Sequence, residues 1–425
     1  MNIRNSHSLQ RILLLSFPLV LILYAFISTP PVVLLEGYWA ILTSPSVLIS
    51  DYLYIGGLGA TLFNVATIFL FNVILLRWLK LDLTGPIFAG LLTIAGFAFF
   101  GKNLLNTLPV YLGAYFYSLI RKLEFRSLII VMLFSTGIAP IVSFLLFGTG
   151  WPLYYGIPAG ILVGILTGIL LPAISQNTLK FHQGYNLYNV GFAMGLVSAI
   201  YAAVLKGFGI NLNVGGPSNP VYHGELMIFA LVLSVVFVIG SFLVDKRVLK
   251  SYPALLKSSG RLSSDFMADY GMATVLFNVG VMGLISLAFI ATLQFQITGP
   301  LMGGILTVMG FAAFGKHPRN SIPVMFGAIL AVLVSGYSFE SVGVVIAILF
   351  VTALAPIAGR YGILAGVIAG FLHLLLSPLC LAFQGGFDLY NNGFTAGFIA
   401  ALMIPILELL FKDPKNQVKK QANAS

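Results

Sequence analysis

Polar residues recur at fixed places in an otherwise apolar chain, and their types suit hydrogen bonding and charge stabilisation more than covalent chemistry. Gly101-Lys102 with Asn106 returns as Gly315-Lys316 with Asn320. Each lysine can hold an anionic group that the asparagine hydrogen-bonds, or it can snorkel to a membrane interface. Tyr188-Asn189 and Tyr390-Asn391 each open a Tyr-Asn-x-Gly-Phe motif, preceded by Asn186 and Asp388, and Asn392 stands where the first copy has Val190. Asn64 and Asn278 lie in apolar runs, where an amide needs a partner on a solute or a neighbouring helix. Thr84-Gly85-Pro86 and Thr298-Gly299-Pro300 read as helix starts, with threonine capping and proline in the first turn. Such a start is either a plain turn or a set of free N–H groups at the positive end of a helix dipole. The candidate solute-binding residues are therefore Asn64, Thr84, Lys102, Asn106, Tyr188, Asn189, Asn278, Thr298, Lys316, Asn320, Tyr390 and Asn391.

Catalysis has little to work with. Gly101-Lys102 and Gly315-Lys316 lack the rest of a phosphate-binding loop, and no His-Glu-x-x-His occurs. Five histidines and the single Cys380 form no metal-ligand spacing. The expectation is a protein that is not an enzyme and carries no cofactor or metal. Asp51, Asp265, Asp269, Asp388 and Glu408 fall near span ends. His373 is the deepest ionisable residue, set against Thr167 of the other half. No carboxylate pair marks the membrane midplane.

These residues must be positioned by membrane helices. The chain has 425 residues, 59% hydrophobic and 8% charged, with a mean hydropathy of +1.01. A soluble protein is about 25% charged, so a soluble or disordered chain is excluded. Apolar runs of about 20 residues, the length that crosses a bilayer, give fourteen candidate spans. They cover 11–32, 53–76, 84–100, 105–120, 127–147, 153–174, 184–206, 223–244, 267–290, 298–314, 320–338, 342–358, 361–383 and 387–411. The third and tenth are short enough to be re-entrant. With the N-terminus in the cytoplasm, 20 of the 22 lysines and arginines fall inside, and only Lys102 and Lys206 fall outside. The net charge of +10 then records topology, and nucleic acid is no partner. The expected localisation is a cell membrane, multi-pass, with both termini cytoplasmic.

The chain is internally duplicated. Residues 50–118 align without a gap to 264–332, with 26 of 69 positions identical, including Ser-Asp, Phe-Asn-Val, Thr-Gly-Pro and Gly-Phe-Ala-x-Phe-Gly-Lys. Ala139-Pro140 pairs with Ala355-Pro356, Pro172 with Pro378, and Leu187-Tyr188-Asn189 with Leu389-Tyr390-Asn391. Seven spans per copy is an odd number, so the copies enter from opposite sides. The expected fold is all-α integral membrane, about 14 transmembrane helices in two inverted seven-span repeats, some helices broken or re-entrant. The expected division is 1–207 for the first repeat, 208–222 for an extracytoplasmic linker, 223–411 for the second repeat and 412–425 for a cytoplasmic tail.

The Gly-Phe-Ala-x-Phe-Gly-Lys, Pro-Val and Leu-Tyr-Asn-x-Gly-Phe stretches resemble a family of uncharacterised bacterial membrane proteins, a domain-of-unknown-function family, over essentially the whole chain. That resemblance implies no substrate and no residue roles. In architecture alone, seven plus seven inverted spans are similar to nucleobase/ascorbate and sulfate-type transporters, and Phe277-Asn278 and Thr352-Ala353-Leu354-Ala355-Pro356 are faintly similar to stretches of urea channels. Inverted repeats place a site near the midplane between the halves. The leading expectation is a secondary transporter or facilitator of a small polar solute. The alternatives are a passive channel for a small neutral solute and a scaffold without transport. The bilayer is a partner, and a coupling ion and a homo-oligomer are left open.

Overall fold

The computed structural model describes residues 3–411 except 49, 213–215 and 219, with side chains from residue 14 onward. The tail 412–425, with Lys412, Lys415, Lys419 and Lys420, lies outside the described residues, as do the side chains of Arg4 and Arg11.

Among the described residues the α-helices form two matched series. The first is α1 (Ile3–Ser28), α2 (Pro31–Leu42), α3 (Tyr52–Trp78), α4 (Gly85–Phe97), α5 (Leu104–Arg121), α6 (Ile129–Ser135), α7 (Pro140–Ser143), α8 (Leu153–Phe181) and α9 (Asn189–Gly207). The second is α10 (His223–Val244), α11 (Val248–Leu255), α12 (Phe266–Thr292), α13 (Gly299–Phe311), α14 (Pro318–Val334), α15 (Val342–Phe350), α16 (Ala355–Tyr361), α17 (Ile363–Gln384) and α18 (Asn391–Leu410). One isolated bridge, Asp51 to Phe100, is the only extended pairing among the described residues.

Among the described residues, eight helical segments are long and apolar enough to cross a membrane, or ten if each sharply bent pair counts as one. Large apolar side chains such as Ile27, Trp78, Leu162, Leu243 and Leu364 stand exposed on the outside, as a lipid-facing surface requires. The chain is a multi-pass helical membrane protein. The other four expected spans are α4, α5, α13 and α14. At 13 residues each, α4 and α13 are about 20 Å long at 1.5 Å per residue, short of a bilayer core of about 30 Å.

Two expectations are corrected. The first span does not run straight to residue 32: α1 stops at Ser28 and α2 leaves at 118°, because Pro30-Pro31 withholds two backbone donors. The segments 33–52 and 245–265, which lie between expected spans, hold most of α2 and all of α11.

The core is built on α4 and α13, which lie antiparallel. A Cβ on Gly96 would meet the Gly303 carbonyl at 2.8 Å, and one on Gly303 would meet the Gly96 carbonyl at 2.9 Å. Only glycine allows this approach. Every residue of α13 is buried, and all of α4 but Pro86. Farther out, α5 packs on α8 as α14 packs on α17. Gly168 abuts the Val110 carbonyl, and Gly370 the Val324 carbonyl. These contacts equate Gly168 with Gly370, Ser175 with Ser377 and Leu171 with His373. The sequence pairings of Pro172 with Pro378 and Thr167 with His373 are therefore four residues out of register.

Candidate functional site

Most of the candidate amides hold backbone. Asn64 Nδ2 donates to the carbonyls of Ala98 (2.8 Å) and Lys102 (2.9 Å). Asn278 Nδ2 donates to those of Ala312 (2.8 Å) and Lys316 (2.7 Å). The short helices α4 and α13 end early, and their carbonyls would otherwise be stranded in an apolar interior. Asn106 closes a capping box with Asn103, and Asn320 closes one with His317, so each starts the following helix. Thr84 caps Ile87 N at 3.4 Å, whereas the buried Thr298 Oγ1 has no partner among the described residues. The Thr-Gly-Pro starts are held instead by carboxylates. Asp265 Oδ1 accepts from Gly85 N at 3.1 Å and from Met267 N in its own helix. Asp51, its counterpart, caps Leu53 N, and its Oδ1 lies 2.5 Å from the Cβ position of Gly299.

The lysines do not snorkel. Lys102 and Lys316 are 1% and 0% exposed. Lys102 Nζ donates to Thr136 Oγ1 at 2.7 Å and lies 5.3 Å from the Phe97 ring centre. Lys316 Nζ donates to Tyr188 Oη at 2.5 Å and lies over the Tyr188 and Phe311 rings. Among the described residues these hydroxyls are their side-chain hydrogen-bond partners, and neither lysine has a carboxylate.

The Tyr-Asn motifs meet at the centre. Helices α9 and α18 begin against each other: a Cβ on Gly191 would lie 3.4 Å from Gly393 Cα, and one on Gly393 3.1 Å from Gly191 Cα. Tyr188 and Tyr390 stack edge-on at 5.2 Å. Tyr390 leans on Phe97 at 4.5 Å and Tyr188 on Phe311 at 4.6 Å, with Phe134 and Phe350 closing the layer. Tyr390 Oη is buried beside Thr93 and has no hydrogen-bond partner among the described residues. Asn189 is fully engaged, accepting from Thr178 and His182 and donating to the Ser175 carbonyl. Asn391 Oδ1 accepts from Asn392 Nδ2 at 2.8 Å.

Two cavities adjoin this layer, and much of their linings is repeat-equivalent. One, of about 230 Å³, is lined by Leu48, Phe100, Pro300, Phe350, Leu381, Leu389 and Asn391. The other, of about 330 Å³, is lined by their repeat partners Leu262, Phe314, Pro86, Phe134, Leu179, Leu187 and Asn189, and also reaches Tyr188 and Tyr390. The structure thus brings Tyr188, Tyr390, Asn189 and Asn391 together and leaves Asn64, Asn278, Asn106, Asn320, Thr84 and Thr298 as supports around them.

Sequence reasoning missed Thr136, the phenylalanine layer and the depth of Asp388. Phe97 and Phe311 lie inside the repeated Gly-Phe-Ala stretch, and Thr136 and Thr352 precede the paired Ala-Pro steps by three residues. These signals were available. Asp388 is wholly buried because the chain turns inward after α17, not at a membrane edge.

The sequence model of the family described as "Protein of unknown function (DUF1576)" matches residues 31–207 and 244–409. No curated protein and no solved structure matches the chain.

Proposed function

Because the chain belongs to the DUF1576 family, whose description supplies no activity, we propose its function from its own geometry: a secondary transporter or facilitator of a small polar solute. The observation that carries this reading is the pair of largely repeat-equivalent cavities beside a close-packed aromatic layer. Two copies of one design facing opposite ways supply two states of similar energy, with access alternating between them. The two cavities are distinct and the rings of Tyr188, Tyr390, Phe97 and Phe311 pack closely beside them, which supports alternating access over a passive channel.

In this reading the chain forms fourteen membrane segments in two inverted seven-segment repeats. The antiparallel α4 and α13 cross inside the protein, where their buried ends are tolerable. The cavity lined by Pro86, Leu179 and Leu262 faces the cytoplasm, by the placement of lysine and arginine. The solute meets Tyr188, Tyr390, Asn189 and Asn391. Lys102 and Lys316 set the hydroxyls of the layer. Asn64, Asn278, Asn106, Asn320, Thr84 and Thr298 hold the frame.

Purified protein in liposomes, screened with a panel of small polar solutes, tests this. Saturable uptake is expected, falling at least about tenfold when Tyr188→Ala is combined with Tyr390→Ala, a loss of about 1.4 kcal/mol in transition-state stabilisation. Uptake unchanged by the pair would sink the site assignment. The inversion is tested separately by cysteine labelling in a background lacking Cys380. Glu36→Cys and Lys250→Cys, equivalent positions on exposed stretches, are expected to label from opposite sides. Labelling from one side would end the inverted-repeat reading.

A further inference from the structure

The two repeats differ most around the start of α18. Three residues that are neutral in the first copy become more polar in the second: Asn186 becomes Asp388, Val190 becomes Asn392 and Leu171 becomes His373. They converge in the structure. His373 Nε2 bonds the Asn392 carbonyl at 3.2 Å, and Asn392 lies four residues from Asp388. The cavity of about 230 Å³ reaches Leu389, Asn391 and Asn392, the neighbours of Asp388 on one side.

Asn186 shows what its position requires. Its Oδ1 accepts from Tyr188 N at 2.9 Å, and its Nδ2 donates to the Gly393 carbonyl at 2.8 Å, tying the start of α9 to α18. Asp388 repeats the first half of this arrangement, its Oδ1 accepting from Tyr390 N at 2.8 Å. Its Oδ2 has no partner among the described residues although the side chain is wholly buried. The repeat partner of Gly393 is Gly191, so the group that corresponds to the asparagine's acceptor is another carbonyl. A carboxylate can only accept, whereas a carboxylic acid can donate there as the amide does.

We propose that Asp388 is a proton-binding site on the transport path. A proton from the adjoining cavity binds Oδ2, and the new O–H donates to the Gly191 carbonyl, locking α18 to α9 as Asn186 already does. Release of the proton to the water of a cavity restores the carboxylate and frees that contact. The titratable groups on the surrounding elements are Tyr390 at the start of α18, Tyr188 at that of α9, and His373 and Cys380 on α17. Lys102 stands behind Thr136, next to the Gly137 carbonyl that accepts from Leu389 N. Asp51 follows Leu48, whose N–H bonds the Gly386 carbonyl. None is hydrogen-bonded to Asp388 Oδ2. The coupling role rests on the transport reading, but the site itself can be tested without it.

The full chain in lipid is compared at acid and alkaline pH by infrared difference spectroscopy. A protonated-carboxyl contribution from this buried site is expected in the wild type, on top of the exposed carboxyls, and is lost from Asp388→Asn, which should fold because asparagine is what the mirror position carries. Combining Asp388→Asn with Asn186→Asp should restore the band. An undiminished band in Asp388→Asn overturns the proposal. So does a wild-type band displaced by sodium at constant pH, which would make this a metal-cation site. Where a solute is taken up, an inward proton gradient should speed uptake several-fold in the wild type and not at all in Asp388→Asn. Absence of any uptake would count against transport while the infrared band still decides the proton site.

Discussion

The two lysine centres are made of the same residue types and are bonded differently. In the second, Lys316 Nζ reaches across to Tyr188 of the first half, and Thr352 lies beside the same tyrosine. In the first, Lys102 Nζ stays within its own half on Thr136, and Tyr390, the partner of Tyr188, keeps a hydroxyl that has no hydrogen-bond partner among the described residues. The amides that frame them are used alike: Asn64 and Asn278 make matching pairs of bonds to backbone carbonyls, within 0.2 Å of each other. The difference in lysine bonding thus sits in the layer, on a frame whose backbone contacts match. A symmetric frame holding an asymmetric centre is the arrangement expected of one state of a two-state device. In the opposite state Lys102 would hold Tyr390, and Lys316 would retreat to Thr352.

The largest effects should fall on the α4–α13 crossing and strike both of its helices. Gly96→Leu and Gly303→Leu each drive a side chain into the opposing backbone at the α4–α13 crossing. Each is expected to cost about 3 kcal/mol or more, at the upper end of overpacking penalties. Thermal unfolding in detergent should show matched losses. A large loss from one and none from the other would mean that the crossing is not shared. The frame amides come next and should differ slightly. Asn64→Ala strands two carbonyls, at about 1–2 kcal/mol after relaxation. Asn278→Ala strands the equivalent two and also the Tyr252 hydroxyl, which donates to Asn278 Oδ1 at 3.1 Å, and should cost about 1 kcal/mol more. Equal losses would remove that distinction.

The sequence made the frame legible and the centre only partly so. Thr-Gly-Pro, Phe-Asn-Val and Gly-Lys announced themselves by recurring, because each holds a backbone break that both copies need. Recurrence does not say what an amide bonds, so Asn64 and Asn320 read as solute ligands when the carbonyls of their own half take their donors. The lysines were ambiguous for another reason. Their depth depends on where a 13-residue helix stops, and hydropathy cannot place a stop inside a buried crossing. Asp388 was hidden by its position at an apparent span end, although its alignment with Asn186 marked it. The register of α8 against α17 was misjudged because prolines are easy to pair by eye, whereas the contacts fixing it run through glycines at the Val110 and Val324 carbonyls.

The smallest expected effect is the most direct test of the asymmetric centre. Tyr188→Phe removes the acceptor of Lys316 and should cost about 1 kcal/mol, the net contribution of a typical hydrogen bond. Tyr390→Phe removes a buried hydroxyl that has no hydrogen-bond partner among the described residues, so its cost should be about zero and it could stabilise slightly. Thermal unfolding of the two variants under one condition reads this difference. Uptake should not reproduce it. If the states exchange roles, each hydroxyl is needed once per cycle, and both variants should slow uptake by a similar factor although only one is less stable. Matched stabilities would mean that the two centres are bonded alike. A Tyr390→Phe variant with wild-type uptake would mean that the Lys102 centre never takes up the contact seen at Lys316, and the exchange of roles would fail.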